Sequence, residues 1–312
     1  MEAQGLCYWY GRHCALQNLS FKLNPGIHAL LGPNGSGKTT LMRLMAGQLK
    51  PSLGRLKLGG CEPFEDYDRL AAQLGWCPDI DTPQGTRLSV HDFLSALGEL
   101  SGMNATTIQT RIESLLGELE MMPYRQRSLD SLSRGMRQRV KIAQALLHRP
   151  RIALLDEPLA GTDPHSRQCM LRVIRNYAQD GAIVLLSTHL LHDVEALTSN
   201  ILVIAQGKLV AQGGIETLRH QLKGGMYALH LCCEHPRQLA AQLIHHDSVV
   251  AAHLEAKDQL RLDIRHLDMA YEQLYAALRE SPQKLYSLTP NEASLSNLFQ
   301  DLMEHVRDHV RQ

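Results

Sequence analysis

Long apolar runs are missing from this chain. Crossing a membrane takes about 18 consecutive apolar residues, and the best runs here, Ile152 to Leu155 and Ile183 to Leu186, stop far short. Work at a membrane is therefore expected to be done from outside it. Net charge is missing too. Lys plus Arg and Asp plus Glu both number 32, so the basic excess of a protein that coats nucleic acid is absent. The seven cysteines are scattered singly apart from Cys232-Cys233, with no C-x-x-C pair. That argues against a disulfide framework and for a reducing compartment. Met1 to Tyr10 carries no basic stretch followed by an apolar one, so no signal peptide is expected. What remains is 312 residues, 44% hydrophobic and 21% charged, an ordinary globular composition sized for about two domains.

The pattern along the chain is mixed. Ile27 to Leu31, Ile152 to Leu155 and Ile183 to Leu186 are short apolar runs that end at polar residues, as strands buried in a parallel sheet do. Helical periodicity lies between them, over Lys38 to Gly47, Arg134 to His148 and His165 to Asp180. Strands alternating with helices predict an α/β core. Alternating segments around Tyr8 to Tyr10, Asn18 to Leu23 and Arg55 to Leu58 predict a small antiparallel sheet, and Leu88 to Met122 a helical insertion. After Gly213-Gly214 a helix over 215–222 is expected. Then comes a β-α-β-β-α-β order from Tyr227 to Leu288, the ferredoxin-like pattern, with a last helix over 292–306.

Three segments carry chemistry. Gly32-Pro33-Asn34-Gly35-Ser36-Gly37-Lys38-Thr39, with Thr40 next, fits G-x-x-x-x-G-K-[ST] between a buried strand and a helix. Glycines let backbone N–H groups face phosphate oxygens, and the helix start adds positive partial charge. Lys38 would reach the β- and γ-phosphates of a nucleoside triphosphate, and the Thr39 hydroxyl would ligate Mg²⁺. Ile152 to Leu155 delivers Asp156 and Glu157: Asp156 would hold the metal, and Glu157 would act as general base for the attacking water. Ser187-Thr188-His189 ends the third run, where His189 could contact the γ-phosphate and link it to Glu157. The other histidines form no repeated ligand spacing; His305 and His309, four apart, fit a solvated helix face better than a metal site.

The segment Ser131-Leu132-Ser133-Arg134-Gly135-Met136-Arg137-Gln138-Arg139 resembles the signature motif, L-S-G-G-Q, of ATP-binding cassette (ABC) ATPases. With the loop and the carboxylate pair before and after it, the resemblance covers about residues 1–215. It implies a P-loop NTPase cassette of α/β class, with a small antiparallel β subdomain, a helical subdomain at about 83–140, and an α+β accessory domain at 216–312. It also implies ATP and Mg²⁺ as ligands, and head-to-tail pairing of two chains. Ser133, Arg134, Gly135 and Met136 of one copy would then complete the other's nucleotide site. Leu159 to Pro164 resembles the dimer-contacting D-loop, which would bring Asp163 to the nucleotide. Tyr10 resembles the aromatic that stacks on adenine, with Tyr8 and Trp9 as nearby competitors.

Two positions depart from the family pattern. Asp79 stands where a glutamine is usual, a possible metal ligand that cannot donate as an amide does. Arg134 and Met136 replace small and amide residues in the signature, a variant similar to bacterial exporter ATPases with a separate membrane subunit. The expected function is thus the ATP-hydrolysing subunit of an exporter. It would sit peripherally on the cytoplasmic face of the inner membrane, as a homodimer on a membrane-spanning permease, with no nucleic acid. The alternative is a soluble cassette acting on ribosomes or nucleic acid.

Overall fold

A computed structural model of the chain describes residues 1–80, 87–188, 194, 197–198, 200–214, 217, 227–265 and 267–291. The helix expected over 215–222, apart from Thr217, the helix expected over 292–306, and His189, His305 and His309 lie outside the described residues. The chain divides into two compact units, Met1–Gln212 and Gly213–Gln312. No helix among the described residues is long and apolar enough to cross a membrane.

In the first unit β1 (Glu2–Tyr10) and β2 (His13–Lys22) pair antiparallel, β3 (Gly26–Leu31) leads into α1 (Lys38–Met45), and β4 (Leu53–Lys57) pairs with the free edge of β1. After α2 (Tyr67–Ala71) and β5 (Leu74–Cys77) the helical insertion follows as α3 (Val90–Leu100) and α4 (Ala105–Glu118). Both begin at good caps: Ser89 Oγ accepts from the Asp92 N–H and the Asn104 side chain from the Thr107 N–H. Then come α5 (Arg134–Leu146), β6 (Ile152–Asp156), α6 (Pro164–Gln179), β7 (Ile183–Thr188), β8 (Ile201–Ala205) and β9 (Lys208–Gly213).

The large sheet has the order β5-β6-β7-β3-β8-β9, with β5 to β8 and β3 running parallel. Its strands are apolar on both faces because both faces are covered. Ala153, Leu155, Val184 and Leu186 enter a core with the residues of α3, α4, α5 and α6. Their neighbours Ile152, Leu154 and Leu185 enter a second core with α1 and the antiparallel sheet. The period of two that splits each run between two cores is the pleat itself.

In the second unit β10 (Tyr227–Cys233), α7 (Pro236–Leu243), β11 (Val249–Leu254), β12 (Gln259–Ile264), α8 (Leu267–Glu280) and β13 (Leu285–Asn291) follow in turn. The sheet order β11-β12-β10-β13, antiparallel throughout, is the ferredoxin-like arrangement. Leu229, Leu231 and Cys233 point from β10 into the core with Leu239, Leu243 and Leu274. Cys232 lies on the opposite face, as alternation demands, so the cysteine pair cannot chelate one ion.

Candidate active site

Parallel pairing matches Leu31 with Thr188 and Asp156 with Ser187. Strands β3, β6 and β7 therefore end at one edge of the sheet, where ligands of open α/β folds bind. The loop 32–37 leaves β3 there. Gly37, at φ 106, opens α1 with no side-chain cap, so the first N–H groups of that helix remain available to an anion. A Cβ on Gly37 would lie 2.6 Å from Leu16 Cδ2 and 2.8 Å from the Ala15 carbonyl oxygen, which shows how closely the loop seats on β2. Lys38 is 7% exposed and donates to the carbonyls of Gly32 and Pro33 at 2.8 and 3.2 Å. Burial lowers its pKa, and the nearby charges of Glu157 and Asp156 work against that fall. A desolvated ammonium so placed interacts strongly with added negative charge.

Asp156 is fully buried. Its Oδ1 accepts a 2.5 Å hydrogen bond from Ser187 Oγ, and its Oδ2 is buried with no hydrogen-bond partner among the described residues. An orphaned buried carboxylate oxygen is costly and is the donor a hard divalent cation prefers. Glu157 is half-buried and sits at φ 46, in the left-handed region that non-glycine residues seldom enter. Its N–H donates to Ser187 Oγ at 2.9 Å, and its carbonyl accepts from Ala160 N–H at 3.2 Å and Gln138 Nε2 at 3.4 Å.

Beside Lys38 and Glu157 lies a cleft of about 600 Å³, lined among the expected residues by Tyr10, Asn34, Gly35, Gly37, Lys38, Thr39, Thr40, Asp79 and Glu157; Asp156, fully buried, is not part of its lining. Tyr10, 43% exposed, stands edge-on to Tyr8 with ring centroids 4.8 Å apart; Trp9 and Tyr8 do not line the cleft. His13, Cys14, Ala15, Gln206 and Gly207 line it as well and were missed. The Gln206-Gly207 turn carried a signal, a glycine in a polar break between two apolar runs. Both residues have positive φ, 51 and 73, as a tight two-residue hairpin requires. Gly207 N–H donates to the Ser36 carbonyl at 2.9 Å, tying the β8–β9 turn to the phosphate loop. A larger cavity of about 1220 Å³ includes Pro25, Arg151 and Ile183, at the opposite ends of the same strands, and has no comparable catalytic set.

The family profile described as ABC transporter matches residues 16–160. YxlF of Bacillus subtilis (strain 168), an uncharacterized ABC transporter ATP-binding protein, is 34% identical over 230 residues, 73% of this chain and 76% of its own. The linearmycin resistance ATP-binding protein LnrL of the same strain is 26% identical over 306 residues, 97% of each chain. A solved structure of an ATP binding subunit of an ABC transporter superposes with a TM-score of 0.67 at 25% identity, over 71% of this chain and 92% of that one. The chain belongs to the ABC transporter ATP-binding subunits. Its reaction is ATP hydrolysis coupled to transport, and membership implies a membrane partner.

In this ABC cassette the signature residues stand apart from the cleft of their own chain. Ser133 caps α5, its Oγ accepting from Met136 N–H at 3.2 Å, and both Ser133 and Arg134 are exposed. The Arg134 guanidinium packs on Gly161, where a Cβ would overlap it. Gly135 lies against Ser166 Oγ and Asp163 Oδ2. Asp163 is the N-cap of α6, accepting from Ser166 N–H at 2.9 Å and Ser166 Oγ at 2.6 Å. Those bonds, the hydroxyl's first, bring its pKa to about 2. None of Ser133, Arg134, Gly135, Met136 and Asp163 lines the cleft. Of the phosphate loop, Gly32, Pro33 and Ser36 also stand outside its lining; a Cβ on Gly32 would overlap the Ile204 carbonyl oxygen, and Ser36 is buried.

Proposed function

We propose that this cassette binds ATP with Mg²⁺ between two copies of itself. Its hydrolysis would drive a separate membrane-spanning permease from the cytoplasmic face of the inner membrane, moving cargo outward. Residues 1–215 form the motor and 216–312 an accessory domain. The observation that carries the reading is the meeting of Lys38, Asp156 and Glu157 at one sheet edge, with one oxygen of Asp156 buried and unpaired.

Tyr10 stacks on the adenine. The N–H groups of the loop Gly32 to Gly37 and of Thr39 and Thr40 hold the phosphates, and Lys38 neutralises the β- and γ-phosphates. Mg²⁺ would be held by Thr39 and Asp156, with Asp79 nearby, and would offset the charge on the phosphate oxygens. Glu157 takes the proton of the attacking water, and His189 orients the γ-phosphate. Ser133 to Met136 and Asp163 serve the nucleotide of the other copy, which accords with their standing outside the cleft of their own chain. Motion passes through the helical insertion to a helix of the permease seated on its surface. The outward direction draws on the signature variant and on a resistance protein among the relatives.

The test is phosphate release by the purified chain together with its membrane partner. Lys38→Ala should lose ATP binding or hydrolysis. In mixed dimers, one copy carrying a Ser133 lesion and the other a Lys38 lesion should keep one complete site and measurable turnover. Dimers of that composition with no turnover would overturn the shared-site reading. Recovery of the chain only with ribosomes or nucleic acid would favour the soluble alternative.

A further inference from the structure

We propose that Ser187 is a positioning residue for hydrolysis. One hydroxyl sets both residues, leaving Asp156 Oδ2 for a cation and holding the Glu157 backbone in its left-handed conformation. The inference rests on the roles given above to Asp156 and Glu157.

The direction of each hydrogen bond is fixed by chemistry. A serine hydroxyl carries one proton and two lone pairs. The Glu157 N–H can only donate, so Ser187 Oγ accepts from it at 2.9 Å. The proton of the hydroxyl then goes to Asp156 Oδ1 at 2.5 Å. Ser187 and Asp156 are both 0% exposed, so no bulk water competes for these bonds. Spending Oδ1 on Ser187 breaks the symmetry of the Asp156 carboxylate and leaves Oδ2 as the oxygen free for a metal.

Glu157 needs the second bond. At φ 46 a residue with a Cβ sits in an unfavourable region and stays there only when its surroundings hold it. The peptide is pinned from both ends, its N–H by Ser187 and its carbonyl by Ala160 N–H and Gln138 Nε2. Strand β7 is otherwise apolar where it is buried up to Leu186, and the register alone sets residue 187 beside Asp156.

The experiment compares wild type, Ser187→Ala, Ser187→Thr and Asp156→Asn, each as the full chain purified with its membrane partner. Three quantities are read: ATP affinity in EDTA, the Mg²⁺ concentration for half-maximal hydrolysis, and kcat. Ser187→Ala should keep the metal-free ATP affinity, while the Mg²⁺ requirement rises and kcat falls, each by about tenfold to a hundredfold. Ser187→Thr, which keeps the hydroxyl, should recover most of both. Unchanged Mg²⁺ dependence and kcat in Ser187→Ala would overturn the proposal. So would a loss of metal-free ATP binding in step with kcat, since that is general disruption. Should Ser187→Ala melt early, Ser187→Cys, close in size with a weak donor, takes its place, and wild-type values there are equally fatal. Asp156→Asn separates the two levels. If it hydrolyses normally, the reading of the site fails. If it is dead while Ser187→Ala is normal, only the role of Ser187 fails.

Discussion

A cleavage site for a triphosphate needs a cation to meet the phosphates and a base to meet the water, and the mechanism proposed above rests each on single side chains. Glu157 is the base in this account, so Glu157→Gln should still bind ATP while phosphate release falls about 10²–10⁴-fold. Stopped phosphate-release assays beside a nucleotide-binding titration check it, and near-normal turnover would remove Glu157 from the role. Lys38, the phosphate loop and the Asp156-Glu157 pair were legible in the sequence because their chemistry lies in consecutive residues flanked by a strand and a helix. Ser187 was visible only as the end of an apolar run. Its partners are 31 and 30 positions away and are set by strand register, which no local pattern encodes. His13 and Cys14 reach the cleft for the same reason, through the pairing of β1 with β2.

Elements bring those residues together, and two of their joints can be tested. The β8–β9 turn holds the phosphate loop through the Gly207 N–H, and a Cβ there would come 2.6 Å from the Ala15 carbonyl oxygen at a φ of 73. Gly207→Ala should therefore raise the ATP concentration for half-maximal hydrolysis and lower the melting temperature, with the strain of the left-handed region adding about 1 kcal/mol or more. Phosphate release titrated with ATP measures the first and calorimetric melting the second. At the other joint Asp163 caps α6, and its pKa falls from 3.8 to about 2. A carboxylate depressed in the folded state contributes stability above its unfolded pKa and loses it as pH falls through the folded value. Between about pH 4 and pH 2 the wild type should lose stability that Asp163→Asn never had, so the two melting curves should converge on acidification. The helical period over His165 to Asp180 made α6 readable along the chain, whereas the strands on either side of the Gln206-Gly207 turn were not expected. The packing of Arg134 on Gly161 was not readable, since it joins the start of α5 to the loop before α6.

For the whole molecule, the two units keep separate cores. The clusters of the first involve residues up to Ile204 and Leu209, and that of the second begins at Tyr227. A fragment ending at residue 212 should therefore fold and bind ATP with the affinity of the full chain, as a fluorescent-nucleotide titration would show; failure to fold would mean the second unit completes the first. The ferredoxin-like order of the second unit was legible from the succession of strand-like and helical segments, and β10 and β12 alternate between buried and less buried residues. The most direct measurement of the central claim is ATP hydrolysis by the chain isolated from membranes with the multi-span protein that accompanies it, reconstituted in vesicles. The expected result is Mg²⁺-dependent phosphate release that collapses in Glu157→Gln while ATP stays bound. A reconstituted complex that neither binds nor cleaves adenine nucleotides would contradict it.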